Sequence, residues 1–234
     1  MIINKIKTLL HPFKKTFGRD TDRFLEEISG VVHVGANLGQ ERELYMSHGL
    51  SVIWVEPIPE VYARLNSNVR GFKNQRAFQA LLTDVDDKEY EFHIANNNGA
   101  SSSILELKQH KDIWPHVHYT TTLRLKSMTL ASLFFRESID ASKYQALIVD
   151  TQGSELLVLQ GSLPVLSGFR FIKTEVADFE SYEGCCQLSQ LNAFMTEHGY
   201  REFSRRKFAS RAKGGDYFDV VYKRLESRAN EVNH

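Results

Sequence analysis

Residues 31–40, VVHVGANLGQ, pass from a valine-rich run through two glycines, Gly35 and Gly39, into the stretch QERELYMSHG. The β-branched run predicts a strand, and the periodic segment after it predicts a helix that stops near Gly49. A strand that turns through glycines into a helix leaves free backbone N–H groups and the positive end of a helix dipole at one sheet edge. Open α/β sheets bind their ligands at that carboxyl edge.

Downstream, SVIWVEP, FQALLTD, YQALIVD and GFRFIKTEV are short strand-like runs, and they alternate with helical stretches. The first of these stretches, PEVYARLNSNVRG, ends near Gly71. GSELLVLQGSLPVL follows, and then QLSQLNAFMTEHGY with a stop at Gly199. Apolar residues in the strands are nearly continuous, as in strands covered on both faces. The expectation is an α/β fold: a mostly parallel sheet with helices on both sides. REFSRRKF and DYFDVVYKRL predict a terminal antiparallel strand pair. From about Lys88 to Leu133, the strand-like runs KEYEFHIANN and YTTTLRLKSMTL flank the polar stretch NNNGASSS, which predicts an inserted extension of the sheet with loops near the site.

At 234 residues, 42% hydrophobic and 25% charged, the chain has the size of one well-filled domain. Twenty-nine basic residues balance twenty-nine acidic ones, so no overall field draws nucleic acid. Two adjacent cysteines, Cys185 and Cys186, make neither a disulfide framework nor a cysteine-rich zinc site, and they fit a reducing, cytoplasmic setting. No apolar run approaches the roughly 20 residues that span a bilayer. At the start, Ile2, Ile6, Leu9, Phe13 and Phe17 recur at helical spacing with four lysines between them. Packing on the domain is the default reading of residues 1–24, and weak contact of residues 1–17 with a membrane surface is the alternative. The body of the domain is expected at 25–225, with a frayed tail at 226–234.

Glu56 ends the second strand about 20 residues after Gly35, where an acid accepts hydrogen bonds from two ribose hydroxyls. An adenosine-type ligand follows. The glycines sit as G-x-x-x-G and lack the G-x-G-x-x-G spacing that closes backbone on a pyrophosphate, which argues against a dinucleotide. His116 and His118 supply two ligands of the three or four that zinc needs, so no metal is expected.

VVHVGANLGQ, VIWVEPIPEVYARLNSN, NNNGASSSIL and LIVDTQGSELLVLQGSLPVL together resemble the FkbM-type family of S-adenosylmethionine-dependent methyltransferases, from about Val31 to Tyr222. The resemblance implies a Rossmann-like class I methyltransferase fold with S-adenosylmethionine as cofactor. It implies that the D-V-G-A-N-x-G turn holds the methionine end, that the E-P acid holds the ribose, and that a D-x-E-G-x-E segment follows the fourth strand. On the matching positions, His33, Gly35, Asn37, Gly39, Glu56 and Leu82 form the expected cofactor site. The chain departs from the pattern twice. His33 stands in place of the leading acid, and Gln152 in place of the acid before glycine.

Asp150 ends the run ALIVD at the same sheet edge and is the expected general base for a hydroxyl acceptor; helix capping by Asp150 or Thr151 is the competing reading. Glu155 and Glu175 are the second choices, with a structural pairing of either to Lys173, or an orienting role, as the alternative. The uncharged NNNGASSS loop suits a small polyhydroxylated molecule or a sugar. The expected function is an O-methyltransferase. A cofactor-binding module without turnover and an NAD-type oxidoreductase are the alternatives.

Overall fold

The computed structural model describes residues 19–226, and its central sheet is sorted by the alternation of its strands. Five runs lie side by side in parallel: β3 (Gln75–Gln79), β2 (Ser51–Glu56), β1 (Gly30–Val34), β7 (Ala146–Val149) and β8 (Phe171–Ala177). Successive side chains point to opposite faces. Val32, Val34, Ile53, Val55, Leu147, Val149 and Ile172 therefore form one core. Val31, Val52, Trp54, Ala146, Ile148 and Phe171 form the other.

Each face is covered by helices whose apolar stripe matches it. On the first face lie α4 (Leu130–Arg136), α5 (Glu155–Gly161), α6 (Leu163–Leu166) and α7 (Leu188–Glu197), contributing Leu133, Leu159, Leu166 and Leu191 among others. On the second lie α2 (Arg42–Ser47) and α3 (Pro59–Val69), through Tyr45, Leu65 and Val69, with Phe24 and Leu25 from a short turn at Arg23–Glu27. The terminal strands β9 (Tyr200–Ser210) and β10 (Asp216–Arg224) form the expected antiparallel pair. β10 inserts between β8 and β9, so the order is β3-β2-β1-β7-β8-β10-β9. The fold is a Rossmann-like α/β sheet with antiparallel strands at one edge.

Two elements differ from the sequence reading. FQALLTD is not one strand: it breaks at Ala80 into β3 and the two-residue β4 (Leu81–Leu82), which leaves the main sheet to pair with β6 (Tyr119–Met128). The insertion consequently is a separate three-stranded sheet, β4-β6-β5 with β5 at Glu89–Ala95, and not a continuation of the large one. The helical stretch GSELLVLQGSLPVL is also divided, at Ser162, just ahead of Pro164. Gly161 sits at that division because the chain has no room for a side chain there: a Cβ would lie 2.0 Å from the Thr83 carbonyl oxygen. The lead-in at residues 1–17 and the tail beyond residue 226 lie outside the described residues.

Candidate active site

A cavity of about 310 Å³ opens at the carboxyl ends of β1, β2, β7 and β8. Of the expected cofactor residues, His33, Gly35, Asn37, Glu56 and Leu82 line it, and so do Asp150 and Glu175. Gly39 and Glu155 do not.

The glycines also make room for protein. Both have left-handed backbone, with φ of 78° at Gly35 and 68° at Gly39. A Cβ on Gly35 would stand 1.8 Å from the Asp150 carbonyl oxygen, and one on Gly39 2.8 Å from Leu65 Cδ1. Gly35 thus lets the ends of β1 and β7 close on each other, which draws Asp150 up beside the first turn.

Glu56 is buried at the end of β2 and organises that turn. Its Oε2 accepts from the Asn37 N–H at 2.8 Å and its Oε1 from the Ile58 N–H at 3.0 Å. Burial pushes its carboxyl from an ordinary 4.5 up to about 7, and the charge of Asp150 adds a smaller push; the two N–H bonds pull the other way. Asn37 fastens the turn to the NNNGASSS loop, donating from Nδ2 to the Asn98 carbonyl at 3.2 Å. His33 faces the cavity and is at the same time a packed core residue. Its Nδ1 is 3.0 Å from the Tyr45 hydroxyl and its ring stacks on Trp54 at 5.1 Å.

Asp150 does not cap α5; its Oδ1 accepts from the Gln152 amide at 2.7 Å. The backbone N–H groups ahead of α5 are met by Glu155, whose carboxylate turns back to accept from Thr151 and Gly153, each at 3.0 Å. Buried in that loop, Glu155 is an anchor of the turn and not a group that faces the cavity; burial raises its carboxyl to about 7. Glu175 reaches the cavity as expected, while Lys173 pairs with Asp22 at 2.6 Å.

The remaining wall was read in part. Ala100, Ser101 and Ser102 come from the NNNGASSS loop, expected near the site, while His110, Trp114, Phe208 and Tyr217, which the sequence reading missed, bring aromatic rings to the cavity. The rings touch one another: His110 to Trp114 at 4.6 Å, Trp114 to Tyr217 at 5.4 Å, Phe208 to Tyr217 at 5.6 Å. Burial lowers His110 to about 4, so its imidazole is neutral at physiological pH. Glu41, just ahead of α2, is a further acid in the lining. The cavity is therefore lined by four carboxylates, Glu41, Glu56, Asp150 and Glu175, and among the described residues by no lysine or arginine.

Comparison with known proteins agrees with this architecture. The family model of the methyltransferase FkbM domain matches residues 33–202. The chain belongs to the FkbM methyltransferase family. A curated relative, the 2-O-methyltransferase NoeI of Sinorhizobium fredii (strain NBRC 101917 / NGR234), is 28% identical over 165 residues, which cover 66% of this chain and 65% of that protein. Among solved structures, the METTL16 methyltransferase domain superposes with a TM-score of 0.52 at 7% identity, covering 87% of this chain and 64% of that one. An uncharacterized protein from Listeria monocytogenes serotype 4b superposes with a TM-score of 0.51 at 10% identity, covering 90% of this chain and 69% of that one. At such identities these two bear on the fold alone.

Proposed function

We propose that this FkbM-family chain is an S-adenosylmethionine-dependent O-methyltransferase that acts on a hydroxyl of a small molecule or a sugar. The observation that carries the reading is the charge of the cavity. Four carboxylates and no lysine or arginine among the described lining residues suit a cofactor that carries a sulfonium and an ammonium, and they oppose the pyrophosphate of a dinucleotide. Residues of this chain fit that cofactor. Glu56 keeps free lone pairs for two ribose hydroxyls, and a cation nearby would favour its ionised form, which burial disfavours.

When bound, S-adenosylmethionine supplies an electrophilic methyl group. Asp150 would accept the proton of the acceptor hydroxyl as that oxygen takes up the methyl group. Much of the rate comes from holding oxygen, carbon and sulfur in line, the task of the ring wall and of Glu175 on the acceptor side. The name of the 2-O-methyltransferase relative supports oxygen as the atom methylated. Two buried free thiols, Cys185 and Cys186, support a reducing, cytoplasmic setting. No helix among the described residues is long and apolar enough to cross a membrane.

Thermal unfolding with S-adenosylmethionine, S-adenosylhomocysteine and NAD in parallel tests the cofactor. A rise in Tm with the first two and none with NAD is expected, and stabilisation by NAD alone overturns the reading.

A further inference from the structure

Gln152, which departs from the family pattern, is held at both ends. Its Oε1 accepts from the Tyr182 hydroxyl at 2.7 Å and its Nε2 donates to Asp150 Oδ1 at 2.7 Å. Its own carbonyl accepts from Ser103 of the inserted region at 2.7 Å. The backbone is fixed as well, with φ of 56° at Gln152 and 103° at Gly153. A Cβ on Gly153 would come within 3.1 Å of the Tyr182 side chain, so the turn is packed tightly against the segment that carries the phenol.

The direction of this chain of hydrogen bonds is set at Tyr182. A carboxamide has one acceptor end and one donor end. The buried phenol stays protonated, since burial raises it well above its ordinary range, and it donates to the oxygen end. The nitrogen end must then face Asp150, and a donor facing a carboxylate favours the ionised, proton-accepting form.

We propose that Gln152 is a positioning residue: an amide locked by Tyr182 that holds the Asp150 carboxylate in one orientation and keeps it free of its own proton. The proposal rests on the reading of Asp150 as the base. An amide matters here because the surroundings are acidic. Glu56 from β2, Glu175 from β8 and Glu41 ahead of α2 share the cavity with Asp150, as do the rings of His33, His110 and Tyr217. Glu155 from α5 lies close enough for the Asp150 charge to raise it. A glutamate in place of Gln152 would put a second carboxylate where the donor now stands, and the two would share one proton.

Carbon-13 NMR titration of the Asp150 carboxyl in the full chain, native, Q152E and Y182F, with and without S-adenosylhomocysteine, tests this. In Q152E, Asp150 and the introduced carboxylate titrate as a pair, and the upper apparent pKa of that pair is expected at least about one unit above that of native Asp150. In Y182F, where the amide is free to turn, Asp150 rises by a smaller amount. An Asp150 titration that is unchanged in both variants overturns the proposal. If Q152E fails to fold by its amide spectrum, Y182F decides alone. Failure of the native protein to bind S-adenosylhomocysteine would refute the cofactor reading, while the titration of the free protein still judges Gln152. With an acceptor in hand, the acidic limb of kcat moves up in Q152E by the same shift, which a merely structural role would not produce.

Discussion

The two sides of the cavity are built by opposite strategies. The side at Gly35, Asn37 and Glu56 comes from one strand–turn–helix–strand unit whose acid fixes its own turn, as Glu56 accepts from Asn37 and Ile58; Gly35 then packs the unit on Asp150 at the end of β7. The side at Ser101, His110, Trp114, Glu175, Phe208 and Tyr217 is gathered from the insertion, β8, β9 and β10, which meet only in the folded chain. Under the function proposed above, local construction suits the side that holds the cofactor. Distant construction lets the second side vary without disturbing the sheet, as differing acceptors require.

The difference can be attacked from either side. Asp150 stands on the seam, and Asp150→Asn is expected to lower kcat by about 10²–10⁴ while S-adenosylmethionine affinity changes little, measured by labelled methyl transfer and by calorimetry. Next in size is a change within the first side. Gly35→Ala forces a left-handed backbone and meets the Asp150 carbonyl, so chemical denaturation should show a loss of at least about 2 kcal/mol. On the second side, Trp114→Ala should raise KM for the acceptor about tenfold through a lost ring contact, with some loss of stability from the ring packing and cofactor affinity nearly unchanged. Equal damage to cofactor binding from Trp114→Ala would erase the division.

A smaller effect separates the sides by pH. Glu56 and Glu155 are held at about 7 in the folded chain against an ordinary 4.5. The folded state therefore binds more protons than the unfolded one between those values. Their contribution to stability is present below about 4.5 and lost as pH rises through 7. The Tm of the ligand-free protein should fall from pH 5 to 8 on their account. Cofactor affinity should rise about tenfold from pH 6 to 8, because ribose hydroxyls donate to ionised Glu56. Glu56→Gln should remove that slope.

Legibility in the sequence followed the same line. The placing of Glu56 and Asp150 at one edge could be read because both end strands of one parallel sheet, whose carboxyl ends lie together. The terminal pair was readable from its alternation, although the insertion of β10 beside β8 was not written in either strand. That Gly35 and Gly39 also make room for Asp150 and Leu65 could not be read, because sequence cannot show what packs against a glycine. Two readings failed for identifiable reasons. Glu155 shares a short segment with Asp150, yet its carboxylate turns back onto backbone N–H groups and away from the cavity. FQALLTD has the composition of one strand and changes sheet at Ala80. His110 and Trp114, four residues apart, meet locally, but only tertiary packing brings them to Phe208 and Tyr217, so the ring wall carried no signal as a site.

The central claim is that the first side of this cavity holds S-adenosylmethionine through Glu56. Calorimetric titration of the native chain and Glu56→Ala with S-adenosylmethionine tests it most directly. Saturable binding by the native protein, weakened about 10- to 100-fold in Glu56→Ala as charged hydrogen bonds are lost, is the predicted result. Binding of equal strength in the two proteins, or none in the native chain, would contradict it.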